Sequence, residues 1–188
     1  MTLLREFQTV GHDLFVAGLN NSHSGNMSVR NNRMMAITRS GAMLHRLDHN
    51  DIVETLIERE DSESARASRE RPVHRAIYNS TAAQAIVHAH PPLLIALSYF
   101  SDNFTPIDAE GRYFFPGGVP IVEVANAIAS DEVAARISPL LQNFSVVIVR
   151  GHGTFAIGNT LEDGFHYTSS LEHSARIAAA YRVNSNSK

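Results

Sequence analysis

Two histidines, His88 and His90, are separated by one residue in the run AIVHAHPP. In an extended strand that spacing sends both imidazoles to the same side, so the pair can share one cation. A third, His152, stands in RGHG directly after the apolar run SVVIVR, where glycines let the backbone turn tightly at a strand end. Three imidazoles with an open position are the arrangement of a catalytic zinc site, whereas a structural site is closed by a fourth protein ligand. Plainer readings stand beside this one. The pair is drawn from ten histidines and can fall together by chance, and a histidine between glycines also serves a turn.

Glu70 supplies a carboxylate that could move a proton, or simply a surface charge at the start of a helix. The Gly25-Asn26 and Ser40-Gly41 pairs each offer backbone N–H groups with a small polar side chain, the equipment of an anion-binding nest able to hold a phosphate, or of an ordinary turn.

The elements that must position these residues are legible in outline. Leu3, Leu4, Phe7, Val10 and Leu14 recur at helical spacing and predict an amphipathic helix over roughly the first 18 residues, ending near Gly18. Residues 25–38 read as a hairpin turning at Asn31 and Asn32, and the charged, serine-rich stretch 58–69 as a surface loop. Pro72 fits the first turn of a helix capped by Ser68 and running to about Ser80, which puts Glu70 at its N-terminus. The segment 85–90 reads as a buried strand stopped by Pro91-Pro92 ahead of another helix. Strands are expected at 119–124 and 145–149, a helix from Ser130 to about Gln142, and a long helix from Leu161 to about Val183. Helices and hairpins together predict an α/β domain with a mixed or mainly antiparallel sheet over 1–183, followed by a frayed end at 184–188.

Composition bounds the partners. A chain of 188 residues with 44% hydrophobic and 19% charged residues can form one core. Its net charge of −3 gives no footprint for nucleic acid. With no cysteine, any metal must sit on histidines and carboxylates. The opening MTLLREFQTVGHDLF reads as helix and not as a signal peptide, and no window approaches the ~20 apolar residues of a membrane span, so a cytoplasmic location is expected.

Taken in order, SGNMSVR (24–30), ITRSG (37–41), SRERPVHRAIY (68–78), VHAHPP (87–92) and VRGHG (149–153) resemble the class II aldolase and adducin N-terminal domain family, with the L-fuculose-phosphate aldolase branch the most similar. The resemblance implies a three-layer α/β/α domain, a homotetramer with active sites between subunits, and one divalent cation per subunit. By the same resemblance the cation, zinc by family preference, is held by His88, His90, His152 and Glu70. Imidazole and carboxylate also suit cobalt, iron or manganese.

Glu70 is implied as the residue that leaves the metal and transfers the proton forming an enediolate. Gly25, Asn26, Ser40, Gly41 and Ser68 are implied to hold the phosphate of a small sugar, with Arg69 standing where the family often has a second serine. Tyr113, in PIDAEGRYFF, is the implied proton donor to an aldehyde; Asp108 and Glu110 are its alternatives, and a tyrosine packed on the sheet is the plainer reading. His23 is a pocket-lining candidate, His74 a support for the Glu70 helix, and His166 and His173 structural members of the last helix.

The implied activity is a lyase that reversibly cleaves a ketose 1-phosphate to dihydroxyacetone phosphate and an aldehyde. The alternatives are a methylthioribulose-phosphate dehydratase-like activity and a non-catalytic, adducin-like binding module.

Overall fold

Alternation along the central strands decides the architecture. In β4 (Ala85–Ala89), Ala85, Val87 and Ala89 join one buried cluster while Ile86 joins another. β7 (Val146–Val149) repeats the pattern, sending Val146 and Ile148 one way and Val147 and Val149 the other. Strands buried on both faces need helices on both faces. The computed structural model, which describes residues 2–185, has them.

One helical layer contains α1 (Leu3–Val16), α3 (Pro92–Leu97), α4 (Ala109–Phe114) and α6 (Leu161–Ser185); the other contains α2 (Arg71–Ser80) and α5 (Asp131–Ile137). Between them the sheet runs in the order β3 (Ile52–Leu56), β2 (Met34–Thr38), β1 (Asn26–Asn31), β4, β8 (Gly153–Gly158), β7, β6 (Val119–Val122), β5 (Asn103–Phe104). All pairings are antiparallel except that of β6 with β7. The result is the three-layer α/β/α domain with a mixed, mainly antiparallel sheet. Among the described residues no helix is long and apolar enough to cross a membrane.

Several local expectations are corrected. Glu70, not Ser68, occupies the N-cap position of α2; Ser68 lies two residues earlier, and its hydroxyl accepts the Glu70 N–H at 3.2 Å. The helix begun at Ser130 stops at Ile137 because Pro139 has no N–H to continue the ladder, and the chain resumes as a 3-10 turn at Leu140–Gln142. Strands β3, β5 and β8 were not anticipated. At the C-terminal end α6 includes Asn184 and Ser185, and the remainder of the segment expected to fray, 186–188, lies outside the described residues.

The approach to Glu70 is built as a braced loop. Arg75, one turn beyond it on α2 and buried, donates to the Leu56 carbonyl at 2.9 Å, to Thr55 Oγ1 at 3.1 Å, to Ser64 Oγ at 3.0 Å and to the Glu60 carboxylate. Arg71 adds bonds to the Ser64 carbonyl and to Glu60. The polar stretch after β3 is thereby fastened to the helix that carries Glu70.

Candidate metal centre and its carboxylate

Strand register chooses the neighbours of His88. It pairs with Asn26 of β1 on one side and Phe155 of β8 on the other. Its Nδ1 lies 2.9 Å from the Thr154 carbonyl. A carbonyl only accepts, so Nδ1 carries the proton and Nε2 keeps its lone pair. The Nε2 of His90 stands 2.9 Å from that atom. His152 arrives from the turn between β7 and β8, where its N–H closes onto the Val149 carbonyl at 3.0 Å.

Ring centroids of His152 lie 4.7 Å from His88 and 5.0 Å from His90, and one nitrogen from each of the three falls within 4.8 Å of the others. Two glycines allow this convergence. A Cβ on Gly153 would strike the Ala89 carbonyl, and one on Gly25, whose φ is +77°, would strike the Asn20 side chain and the His88 carbonyl. Asn20 in turn accepts the His90 N–H at 3.0 Å.

Burial, and then the neighbouring imidazoles, push the pKa of His88 well down and that of His90 to about 4; burial alone lowers His152. All three rings are therefore held toward the neutral form, and each brings a ring nitrogen able to act as a ligand to one region. Such a donor set fits a divalent cation, with the Thr154 carbonyl fixing the tautomer of one ligand.

Glu70 lies beside this group. It is 5% exposed, and its Oε1 is 3.8 Å from His152 Nε2 and accepts the Ala129 N–H at 3.0 Å. Its Oε2 is buried without a hydrogen-bond partner. Burial raises the carboxyl pKa, opposed by the Ala129 N–H and by the charge of Arg69. A carboxylate of raised basicity with one anchored and one free oxygen can accept and return a proton.

Gly25, Asn26, Ser40, Gly41, Ser68 and Arg69 line the same cleft as Glu70 and the histidines, a cavity of about 460 Å³. All the proposed anion-holding residues are thus brought together. His23 lines it too, as do Arg39 and Ile128, which sequence reasoning missed. Arg39 is partly engaged, its Nε 2.6 Å from Asp51. Its place next to Ser40 was the available signal.

Tyr113, Asp108 and Glu110 are not brought to this cleft. Tyr113 sits in α4, not on the sheet, and is 80% exposed; Asp108 caps that helix by accepting the Gly111 N–H at 2.8 Å. His74 is fully buried on α2, with Nδ1 2.7 Å from Ser28 Oγ. His166 packs edge-on against Phe114, and His173 is exposed on α6.

A family model described as the Class II Aldolase and Adducin N-terminal domain matches residues 5–179. The chain belongs to this family. Among solved members, the l-fuculose-1-phosphate aldolase of Thermus thermophilus superimposes with a TM-score of 0.94 at 34% identity, covering 99% of this chain and 97% of that one. A methylthioribulose-1-phosphate dehydratase of Acidiphilium cryptum is 30% identical over 183 residues, 89% of this chain and 85% of the relative. A 3,4-dihydroxyphthalate decarboxylase of Rhodococcus jostii is 30% identical over 117 residues, which is 60% of this chain and 48% of that protein, so the match spans about half of the relative's length. Class II aldolase family members therefore include aldolase, dehydratase and decarboxylase chemistries on related chains.

Proposed function

We propose that this protein is a divalent-metal-dependent aldolase, zinc being the preferred ion, that reversibly cleaves a ketose 1-phosphate to dihydroxyacetone phosphate and an aldehyde. L-Fuculose 1-phosphate is the leading substrate. The observation that carries this reading is the adjacency of the three convergent histidines to Glu70, whose Oε1 is 3.8 Å from His152, within a cleft that also holds the small polar residues suited to a phosphate.

In this reading His88, His90 and His152 hold the cation, joined by Glu70 at rest. The bound ion supplies the Lewis acidity that polarises a carbonyl and makes the adjacent C–H removable by a carboxylate. Gly25, Asn26, Ser40, Gly41 and Ser68 orient the phosphate through N–H and side-chain donors, and Arg69 adds charge. Glu70 takes the proton from the carbon next to the carbonyl in the condensation direction and returns it in cleavage. Desolvation helps, because a buried carboxylate is a stronger base than one in water.

Tyr113 is the proposed donor to the aldehyde oxygen. Facing solvent outside its own cleft, it could serve only a neighbouring subunit, which supports a homotetramer with interface sites. A cytoplasmic location belongs to the same reading.

A dehydratase of a phosphorylated ketose is the second reading, favoured by the relative that is 30% identical over 89% of the chain. The same base and metal would then serve loss of water. An adducin-like module without catalysis is disfavoured by retention of the complete histidine set with Glu70.

The deciding experiment is elemental analysis of the purified protein with turnover of L-fuculose 1-phosphate by wild type and Glu70→Gln. Near-stoichiometric zinc, with dihydroxyacetone phosphate released by wild type and release reduced about 10²–10⁴-fold in the variant, is expected. Zinc without cleavage transfers the case to the dehydratase assay, and absence of metal removes the catalytic reading.

A further inference from the structure

The loop between β6 and α5 reaches Glu70 through one atom. The N–H of Ala129 meets Glu70 Oε1 at 3.0 Å, and it does so from a backbone conformation that an L-residue adopts at a cost, with φ of +51°. Among the described residues only Asn32, in a hairpin turn, is another non-glycine with positive φ. Such conformations persist where the surroundings over-determine them.

Here they do. The Glu132 carboxylate accepts the N–H groups of Ala125 at 2.9 Å and Asn126 at 3.3 Å. Ser130 Oγ donates to the Asn126 carbonyl at 2.5 Å while accepting the Val133 N–H at 3.1 Å. Helix α5, which carries Glu132, shares a buried cluster with α2, which Glu70 opens, through Val133 and Ile137 against Val73 and Ile77. The two ends of the Ala129–Glu70 bond are therefore fixed relative to one another.

We infer that the Ala129 amide is a latch that receives the Glu70 carboxylate when it stands off the metal, and so sets the balance between Glu70 as ligand and Glu70 as base. The inference rests on the proposed role of Glu70. In this structure Glu70 Oε1 accepts the Ala129 N–H. The ligating atoms that converge belong to the three histidines, and the oxygen that approaches His152 at 3.8 Å is the one bound to Ala129. The other oxygen is buried and unpartnered, available to a proton or to a metal. A carboxylate with nowhere to go on leaving a metal would return to it. An amide at fixed position offers an alternative of comparable strength, since a hydrogen bond to a charged acceptor is among the stronger ones. Ala129 is accordingly a positioning residue that acts through Glu70.

The test exploits opposite signs. Ala129→Pro removes the N–H and cannot take positive φ. Without the latch Glu70 stays on the metal, so zinc is withdrawn from the holoenzyme by a competing chelator with about tenfold greater difficulty, while exchange of the hydroxymethyl hydrogen of dihydroxyacetone phosphate with deuterated water slows about tenfold in kcat at unchanged KM. Damage to folding would weaken zinc binding instead. Ala129→Gly keeps the N–H and allows positive φ, and its zinc affinity is expected within about twofold of wild type.

Unchanged zinc binding in Ala129→Pro overturns the latch, as does weaker binding when the urea midpoint of the variant matches wild type, and as does tightening of equal size in Ala129→Gly. If wild type catalyses no exchange but Ala129→Pro still tightens zinc, the latch stands and the aldolase reading falls. If wild type exchanges and Ala129→Pro matches it in both readouts, the latch falls and the aldolase reading stands.

Discussion

Phe155 lies flat against His88, the ring centroids 4.2 Å apart and the planes 17° from parallel. The contact follows from register, because the two residues are partners across β4 and β8. Phe155 is fully buried and belongs to the core beneath α2 and α5, so the face of the imidazole is held by the same packing that stabilises the domain. Phe155→Leu should cost roughly 1–2 kcal/mol of stability. It should also lower metal affinity by about tenfold or more, since groups that orient a metal ligand matter at that scale. Urea denaturation and a zinc competition assay measure the two effects separately; a stability loss with unaltered zinc affinity would mean that the stack does not orient His88.

Arg69 makes no hydrogen bond or ion pair among the described residues, yet it lines the cleft and bears on Glu70. A guanidinium left free in the proposed phosphate cleft is placed to meet a phosphate. Arg69→Ser is expected to raise KM for a phosphorylated ketose about tenfold, the size of one charge-assisted hydrogen bond, and to flatten the salt dependence of kcat/KM. The value of kcat should change much less. Kinetics at low and moderate ionic strength would decide, and a KM indifferent to both the substitution and the salt would remove Arg69 from the phosphate site.

Arg75 tests the loop that leads to Ser68 and Glu70. It serves two hydroxyls, a carbonyl and a carboxylate from a buried position, so Arg75→Met leaves several acceptors without a donor. The expected cost is about 1–3 kcal/mol, the range for leaving buried hydrogen-bonding groups unsatisfied, since the Glu60 carboxylate left behind is largely exposed. Amide exchange should rise first over residues 57–69. Uniform loosening of the whole domain would contradict a local brace.

Much of this arrangement was written in side-chain type. The histidine spacing in β4 and the glycines around His152 announced a convergent site, because period-two geometry and tight turns depend on residue identity. Helix α1 was legible from its apolar spacing, and α2 and α5 from Pro72 and from Ser130-Asp131-Glu132 at their starts. What escaped has a physical reason in each case. β3 alternates buried and exposed residues over only five positions next to a long polar stretch, and β8 begins and ends in glycine, so neither shows a strong strand pattern. The Ala129 contact is made by a main-chain N–H that every residue except proline possesses, so its sequence carries no mark of it. The plainer reading of Tyr113, a tyrosine packed on the sheet, failed because Asp108 caps a helical turn there and takes the tyrosine to the surface.

His74 provides a test in pH. It is fully buried, and burial brings its pKa down to about 3 from an ordinary value of 6.5. The unfolded chain therefore binds this proton at a higher pH than the folded protein does. Above pH 6.5 both states leave the ring neutral and no stability is lost. As pH falls from about 6.5 toward 3 the unfolded state gains the proton first, and stability declines until the folded pKa is reached. At pH 4.5 the loss assignable to His74 is roughly 2–3 kcal/mol.

His74→Gln cannot titrate but can still reach Ser28, so it should be less stable than wild type by about 1–2 kcal/mol at pH 7.5 and close to it, or above it, at pH 4.5. Urea midpoints of metal-depleted protein at the two pH values give the comparison, and the contributions of the other histidines cancel between the two proteins. Parallel losses in wild type and variant would mean that another buried group, and not His74, carries the acid sensitivity of the fold.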